Sequence, residues 1–250
     1  MKIVILGGNG LIGSKTVEIL KAQGHEVIAA STKSGVNAVT GVGLKVAFTG
    51  ADVVVDVMNS PSWADDDVME FFRKSTENVL AAEKEAGVKH HVALSVVGTA
   101  RLQDSGYFRA KQVQEDLIRK GCVPYTIVQA TQFFEFLGGI ADFSADSESK
   151  VRLSTGGLQP IAANDVSVVM AEIATDKPLN ATIEIGGPER ARLCVFVSKY
   201  MQAKNDRREI IASADAKYYG LKLGERSLVP EDDARRAPTK FEEWLYVAAK

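Results

Sequence analysis

The 250 residues carry 30 basic and 32 acidic side chains, a formal net charge of −2, and are 46% hydrophobic. Such a chain can bury a large core, and one domain with a substrate lobe is more natural than two independent folds. The near-neutral balance, without a basic stripe or an aromatic-basic interleaving, excludes a nucleic-acid partner. The lack of a long apolar run excludes a bilayer span, and a start without charged leader or apolar signal core points to a cytoplasmic chain.

The chain opens with an apolar run, Lys2 to Leu6, that enters Gly7-Gly8-Asn9-Gly10-Leu11-Ile12-Gly13 and then a helix from Leu11 to Gln23. A second strand follows at Glu26 to Ala30. Strand, glycine turn, helix and strand make the start of a dinucleotide-binding β-α-β unit, in which glycines let a pyrophosphate reach the main chain and the helix N-terminus offers unpaired N–H groups. The glycines fit both Gly7-x-x-Gly10-x-x-Gly13 and Gly8-x-Gly10-x-x-Gly13. Gly13-Ser14-Lys15-Thr16 looks like the end of a triphosphatase loop, but its lysine is one residue late, a slip that turns a helical side chain by about 100°.

An acid about 20 residues beyond the glycines grips the ribose in NAD-selective folds of this kind. None stands there. Ser31-Thr32-Lys33-Ser34 instead presents hydroxyls and a cation, which suit a 2′-phosphate, so NADP(H) is favoured over NAD(H). Between Ala30 and Asp52 the usual strand-helix-strand space is short: Val36 to Thr40 reads as a strand, or the segment is a trimmed helix replaced by loop.

Further strands are expected at Asp52 to Met58, His91 to Val96 and Tyr125 to Gln129, separated by helices over Asp67 to Ala86 and Tyr107 to Lys120. That alternation defines an α/β fold with a doubly wound parallel sheet, of Rossmann type. Beyond Phe133 the pattern loosens into a helix from Asn164 or Asp165 to Thr175, a strand from Thr182 to Ile185 and a turn at Gly186-Gly187-Pro188. Residues 1–132 are read as the NAD(P)-binding core and 133–250 as a small C-terminal substrate lobe integrated in the same domain, covering the carboxyl edge where open α/β sheets bind ligands.

The candidate chemistry lies at that edge. Ser95 ends an apolar strand, and Tyr107 and Lys111, four apart, share one face of the next helix. A close ammonium would favour the phenolate and lower the tyrosine's ordinary value near 10. Ser95 would hold a carbonyl oxygen, Tyr107 would donate the proton, NADPH the hydride, and Lys111 would also hold the nicotinamide ribose. Tyr200/Lys204, Tyr218/Lys222 and Tyr246/Lys250 repeat the spacing and are read as solvated pairs. Phe133, Phe134 and Phe136 suggest an apolar substrate wall. Cys122 and Cys194 are read as reduced core thiols, and His25, His90 and His91 as surface or strand-edge packing; no metal is expected.

Gly7 to Gly13, His91-Val92-Ala93-Leu94-Ser95-Val96-Val97-Gly98, Tyr107-Phe108-Arg109-Ala110-Lys111 and Tyr125 to Phe133 together resemble the NmrA-like, atypical branch of the short-chain dehydrogenase/reductase superfamily, over about the first 140 residues. The resemblance implies Ser95, Tyr107 and Lys111 in the catalytic places, and Asn59-Ser60 and Gln129, Ala130 and Thr131 lining the nicotinamide side. The superfamily's helix asparagine has no clear counterpart, Asn78 lying out of register. The branch contains reductases and also dinucleotide-binding redox sensors that often lack the tyrosine. The expectation is an NADPH-dependent carbonyl or related reductase of a small, fairly apolar substrate; a non-catalytic NADP(H) sensor, or an epimerase or lyase that recycles its cofactor, are the alternatives. Whether the chain is a monomer or a homo-oligomer stays open.

Overall fold

The computed structural model describes residues 1–248. Its elements in chain order are β1 (Lys2–Leu6), α1 (Leu11–Ala22), β2 (Glu26–Ala30), α2 (Leu44–Phe48), β3 (Val53–Asp56), α3 (Asp65–Ala86), β4 (His90–Val96), α4 (Gly106–Lys120), β5 (Tyr125–Ala130), α5 (Leu137–Phe143), β6 (Val151–Ser154), β7 (Gly157–Leu158), α6 (Ala163–Thr175), β8 (Ala181–Gly186), β9 (Ala191–Arg192), α7 (Leu193–Ala203), β10 (Ile210–Ser213), β11 (Lys217–Tyr218), β12 (Leu221–Lys222), β13 (Arg235–Arg236) and α8 (Phe241–Ala248). Seven strands form a parallel sheet in the order β2-β1-β3-β4-β5-β8-β13, a Rossmann-type α/β architecture. Ile3, Val4, Ile5 and Leu6 are fully buried, as a central parallel strand covered on both faces requires.

Strand β1 pairs with β2 on one side and with β3 on the other, Ile3 lying opposite both Val27 and Val53. Connections therefore leave β1 and β3 in opposite directions. Their carboxyl ends frame the crevice where such sheets take ligands.

No strand forms over Val36 to Thr40; the segment is loop with a trimmed helix, the second of the two sequence alternatives. A short 3₁₀ turn covers Thr32–Ser34, the Asn37 carboxamide oxygen accepts from the N–H groups of Val39 and Thr40 at 3.0 and 3.2 Å, and α2 follows. Asn78 of α3 donates to the carbonyls of Ala38 and Val39 at 2.9 and 2.8 Å. Its amide is a latch on this loop. Buried Ala38, Leu44, Ala47 and Phe48 then fill the space a further strand and helix would occupy.

Helix α3 begins with three aspartates, which oppose the helix dipole, and ends at Gly87 in the left-handed region at φ 71°. It buries Val68, Phe72, Ser75, Thr76, Val79 and Glu83 along one stripe. Glu83 corrects the reading of the histidines. His90 and His91 do point to opposite faces, yet both are buried: His91 Nδ1 lies 2.6 Å from Glu83 Oε1 and His90 Nε2 lies 2.9 Å from Thr126 Oγ1. Burial is acceptable because each ring has a polar partner. Cys194 is buried as expected, but Cys122 is exposed just beyond α4.

Two compact units divide the chain, one of residues 1–129 and 166–183, the other of residues 130–165 and from 184 onward. Most of α6 and half of β8 thus belong with the first unit, beyond the expected boundary at residue 132. In the second unit, β6 pairs with β10, β7 with β9 and β11 with β12, beside a cluster of Phe134, Phe196, Phe241 and Trp244. Tyr200 stacks on Trp244 and is half-buried, so Tyr200/Lys204 is not a solvated pair; Lys250 lies outside the described residues. Among the described residues no helix is long and apolar enough to cross a membrane.

Candidate functional site

Each glycine of the first turn has a separate physical reason. Gly7 sits at φ +78°, where side chains are strained, and its carbonyl accepts from Gly10 N–H at 2.9 Å to close the turn. A Cβ on Gly8 would lie 2.7 Å from Ala29 Cα, and one on Gly13 would lie 2.2 Å from the Gly7 carbonyl oxygen. Helix α1 therefore starts pressed against the turn. Its N-cap is Gly10, with no capping side chain, so the N–H groups of Leu11, Ile12 and Gly13 are left for another acceptor. A cradle of bare backbone at a helix N-terminus fits a dinucleotide pyrophosphate.

Asn9 Nδ2 donates to Ser31 Oγ at 2.8 Å and so joins the turn to the end of β2. Ser34 Oγ accepts from Ser31 N–H and donates to Ser31 C=O, both at 2.9 Å. Thr32 and Lys33 are exposed on the resulting knuckle. On the far side of the crevice, exposed Asn59 accepts from Ser60 N–H at 3.1 Å, and Ser60 Oγ accepts from Ser62 N–H at 3.2 Å.

Helix α4 turns Lys111, Gln114, Glu115 and Ile118 inward, a stripe at the helical repeat. Lys111 is 2% exposed. Its ammonium donates to Leu94 C=O at 2.9 Å and to Gln114 Oε1, and lies 4.5 Å from the centre of the Phe72 ring. Gln114 in turn donates to buried Asp56 at 3.1 Å. Burial pushes the Lys111 ammonium down to about 8, while Asp56 and Glu115 oppose the fall.

Tyr107, one turn before Lys111, packs its ring on Trp63 at 5.5 Å and Phe72 at 6.0 Å. The phenol is not activated as expected. Burial pushes it up to about 12, because the ammonium that was to lower it is held by Leu94, Gln114 and the Phe72 ring. Ser95 also departs from expectation: its hydroxyl donates to Glu115 Oε1 at 2.5 Å rather than facing Tyr107. Glu115 further accepts from Gln129 Nε2 at 2.8 and 3.0 Å and from Arg119 at 2.6 Å. The fold thus brings Tyr107 and Lys111 to one phenylalanine and ties Ser95 and Gln129 to one carboxylate.

Asp56, Gln114 and Glu115 were not singled out from sequence. The two α4 residues stand three and four positions after Lys111, a spacing that places them on its face. In the second unit, Ala130 is buried, and Thr131 donates its N–H to Ile185 C=O at 3.0 Å while its buried hydroxyl finds no partner. Phe133 is half-buried and stacks on Phe136 at 5.1 Å. Phe134 is no ligand wall: it is 1% exposed and packs on Phe241 and Trp244 at 5.1 and 5.4 Å.

Sheet order, switch point and bare glycine cradle define a Rossmann-type dinucleotide-binding protein. The chain matches the NAD(P)H-binding family over residues 7–177 and belongs to it, in keeping with the NmrA-like short-chain dehydrogenase/reductase resemblance. It is 26% identical over 230 residues to a chloroplastic divinyl chlorophyllide a 8-vinyl-reductase of Arabidopsis thaliana, covering 76% of this chain and 54% of that protein. The Cucumis sativus protein of the same name is 26% identical over 223 residues, with 76% and 53% covered. The chain spans about half the length of these curated relatives. Among solved structures, dTDP-4-dehydrorhamnose reductase from Bacillus anthracis, in complex with NADP, aligns with a TM-score of 0.75 at 14% identity, covering 100% of this chain and 99% of that one. A short-chain dehydrogenase/reductase superfamily protein from Agrobacterium tumefaciens with bound NAD aligns at 0.72 and 18% identity, covering 100% and 96%. These structures share the fold.

Proposed function

We propose that this protein is an NADP(H)-dependent oxidoreductase that reduces a carbonyl or related unsaturated group of a small, fairly apolar substrate. The observation that carries the reading is Tyr107: a phenol kept protonated by burial, its hydroxyl without a hydrogen-bond partner among the described residues, one helical turn from a buried ammonium. A phenol that keeps its proton at neutral pH has one to give to a developing alkoxide. Reduced nicotinamide, when bound, supplies the hydride. Tyr107 Oη–H gives its proton to the substrate oxygen, and Lys111 can stabilise the phenolate left behind only by releasing Leu94 C=O and Gln114. Ser95 can hold the same oxygen only by releasing Glu115, so it is assigned a lesser share.

The glycine turn would bind the pyrophosphate, and Ser31, Thr32 and Lys33 the 2′-phosphate, for which β2 ends without an opposing acid. Asn59 and Ser60 of the first unit would line the nicotinamide side. The vinyl-reductase relatives support the reductase class and add activated alkenes to the substrates worth assaying. Substrate-dependent NADPH oxidation is the test, with Tyr107→Phe expected to lower kcat by about 10²–10⁴-fold. Equal rates for both proteins would remove the tyrosine.

The commitment of Ser95 to Glu115 favours a second reading, a non-catalytic NADP(H) sensor. Tight NADPH binding without turnover of any carbonyl or alkene, together with a partner protein whose affinity changes with NADPH, would establish it.

A further inference from the structure

Trp63 is 71% exposed, although its indole ring packs an edge on Tyr107. The loop that carries it is held firmly. Ser62 N–H donates to Ser60 Oγ at 3.2 Å, Ser62 Oγ donates to Asp67 at 2.7 Å, and Ala64 N–H donates to Ser62 Oγ at 3.2 Å. Two residues past the indole, Asp65 accepts from Arg109 of α4 at 2.7 Å. The Asp65 carboxyl sits against Gly106, where a Cβ would lie 2.1 Å from it and push it aside. An ordered loop thus holds a large apolar ring in water at the carboxyl end of β3, beside the first turn of α4. Ring contacts run on without a break, Phe71 to Phe72 at 5.2 Å, Phe72 to Tyr107 at 6.0 Å and Tyr107 to Trp63 at 5.5 Å. The Trp63 and Tyr107 rings are tilted by 45° to each other, and most of the indole stays in contact with water.

We propose that Trp63 is the substrate-selecting wall of this site and that it takes planar, conjugated molecules, stacked on the indole with their reducible group beside the Tyr107 hydroxyl. The inference rests on Tyr107 being the proton donor for the reduction. A rigid aromatic face costs little ordering entropy and favours a flat π-system over a puckered ring of similar size, because stacking adds to the area buried. The loop hydrogen bonds fix the ring before substrate arrives.

Binding and turnover separate the two ideas. Calorimetry on the NADPH-loaded full chain compares 2-naphthalenemethanol with cyclohexanemethanol, neither of which accepts hydride. The planar alcohol is expected to bind about tenfold tighter to the wild type, with Trp63→Ala bringing the ratio close to one and Trp63→Phe keeping most of it. NADPH affinity and thermal midpoint stay within error of wild type in both variants. The inference is overturned if Trp63→Ala leaves the ratio unchanged, weakens both alcohols alike or weakens NADPH itself, or if the planar alcohol does not bind. Turnover of 2-naphthaldehyde and cyclohexanecarbaldehyde forms the second arm: the preference is expected in KM, with kcat changed less than about twofold by Trp63→Ala. A Trp63-dependent binding preference with no turnover of either aldehyde would keep the wall and remove the reductase reading.

Discussion

The glycine turn after β1 and the first two turns of α4 serve the same edge of the sheet but are built from opposite materials. In the turn, the working parts are backbone N–H groups, and side chains are kept out: a single Cβ at Gly13 would collide with the Gly7 carbonyl at 2.2 Å. Around α4 the working parts are side chains held by other side chains, Lys111 by Gln114 and Ser95 of β4 by Glu115. The first arrangement has one conformation available to it. The second is a network in which one carboxylate, Glu115, accepts from Ser95, Gln129 and Arg119 together.

The largest effect should come from violating the backbone site. Gly13→Val forces the turn and α1 apart; at least a hundredfold loss of NADPH affinity by calorimetry is expected, with a lower thermal midpoint from overpacking of about 1–3 kcal/mol. A variant that bound NADPH within threefold of wild type would break the contrast. Glu115→Gln should act differently. Turning one of the two carboxylate oxygens that accept from Ser95, Gln129 and Arg119 into an NH₂ that faces donors is expected to cost about 2 kcal/mol, or roughly 4–8 °C in thermal midpoint, with little change in NADPH affinity.

Lys111 sharpens the comparison through pH. Its ammonium is pushed down to about 8 in the fold from 10.5, so the basic limb of the turnover profile should follow its loss of charge near pH 8, not the phenol near 12. Lys111→Arg should move that limb upward. For stability the sign is reversed: between about 8 and 10.5 the unfolded chain holds the extra proton, so this group's contribution rises with pH across that window, by about 3 kcal/mol in all. In urea melts Lys111→Met should lose that rise. The smallest effect is expected at the exposed knuckle, where Lys33→Ala should weaken NADPH about three- to tenfold and leave NADH unchanged.

Strands β1 and β2 and the helix α1 were legible almost to the residue, because apolar runs, glycines and helix periodicity are local signals. The latch from Asn78 to Ala38 and Val39 was not, since it joins residues about 40 positions apart and replaces a strand with loop. The burial of His90 and His91 was missed for a related reason: polar partners at Thr126 and Glu83 make it tolerable, and nothing within the strand announces them. At the candidate site, residue identity and helical face were readable for Tyr107 and Lys111. Where the polar atoms of Lys111 and Ser95 point was not, because Gln114 takes the one and Glu115 the other from the same helix face. Phe134 likewise looked like its neighbour Phe133 until Phe241 and Trp244, more than a hundred positions later, enclosed it.

Strand β13 ends one flank of the sheet with two consecutive exposed arginines, Arg235 and Arg236, and Pro238 comes shortly after. A strand flank is the natural template for one chain to add to another and begin a fibril. A two-residue flank followed shortly by a residue with no N–H gives such growth almost nothing to copy. On that side the sheet offers a second chain little backbone to pair with.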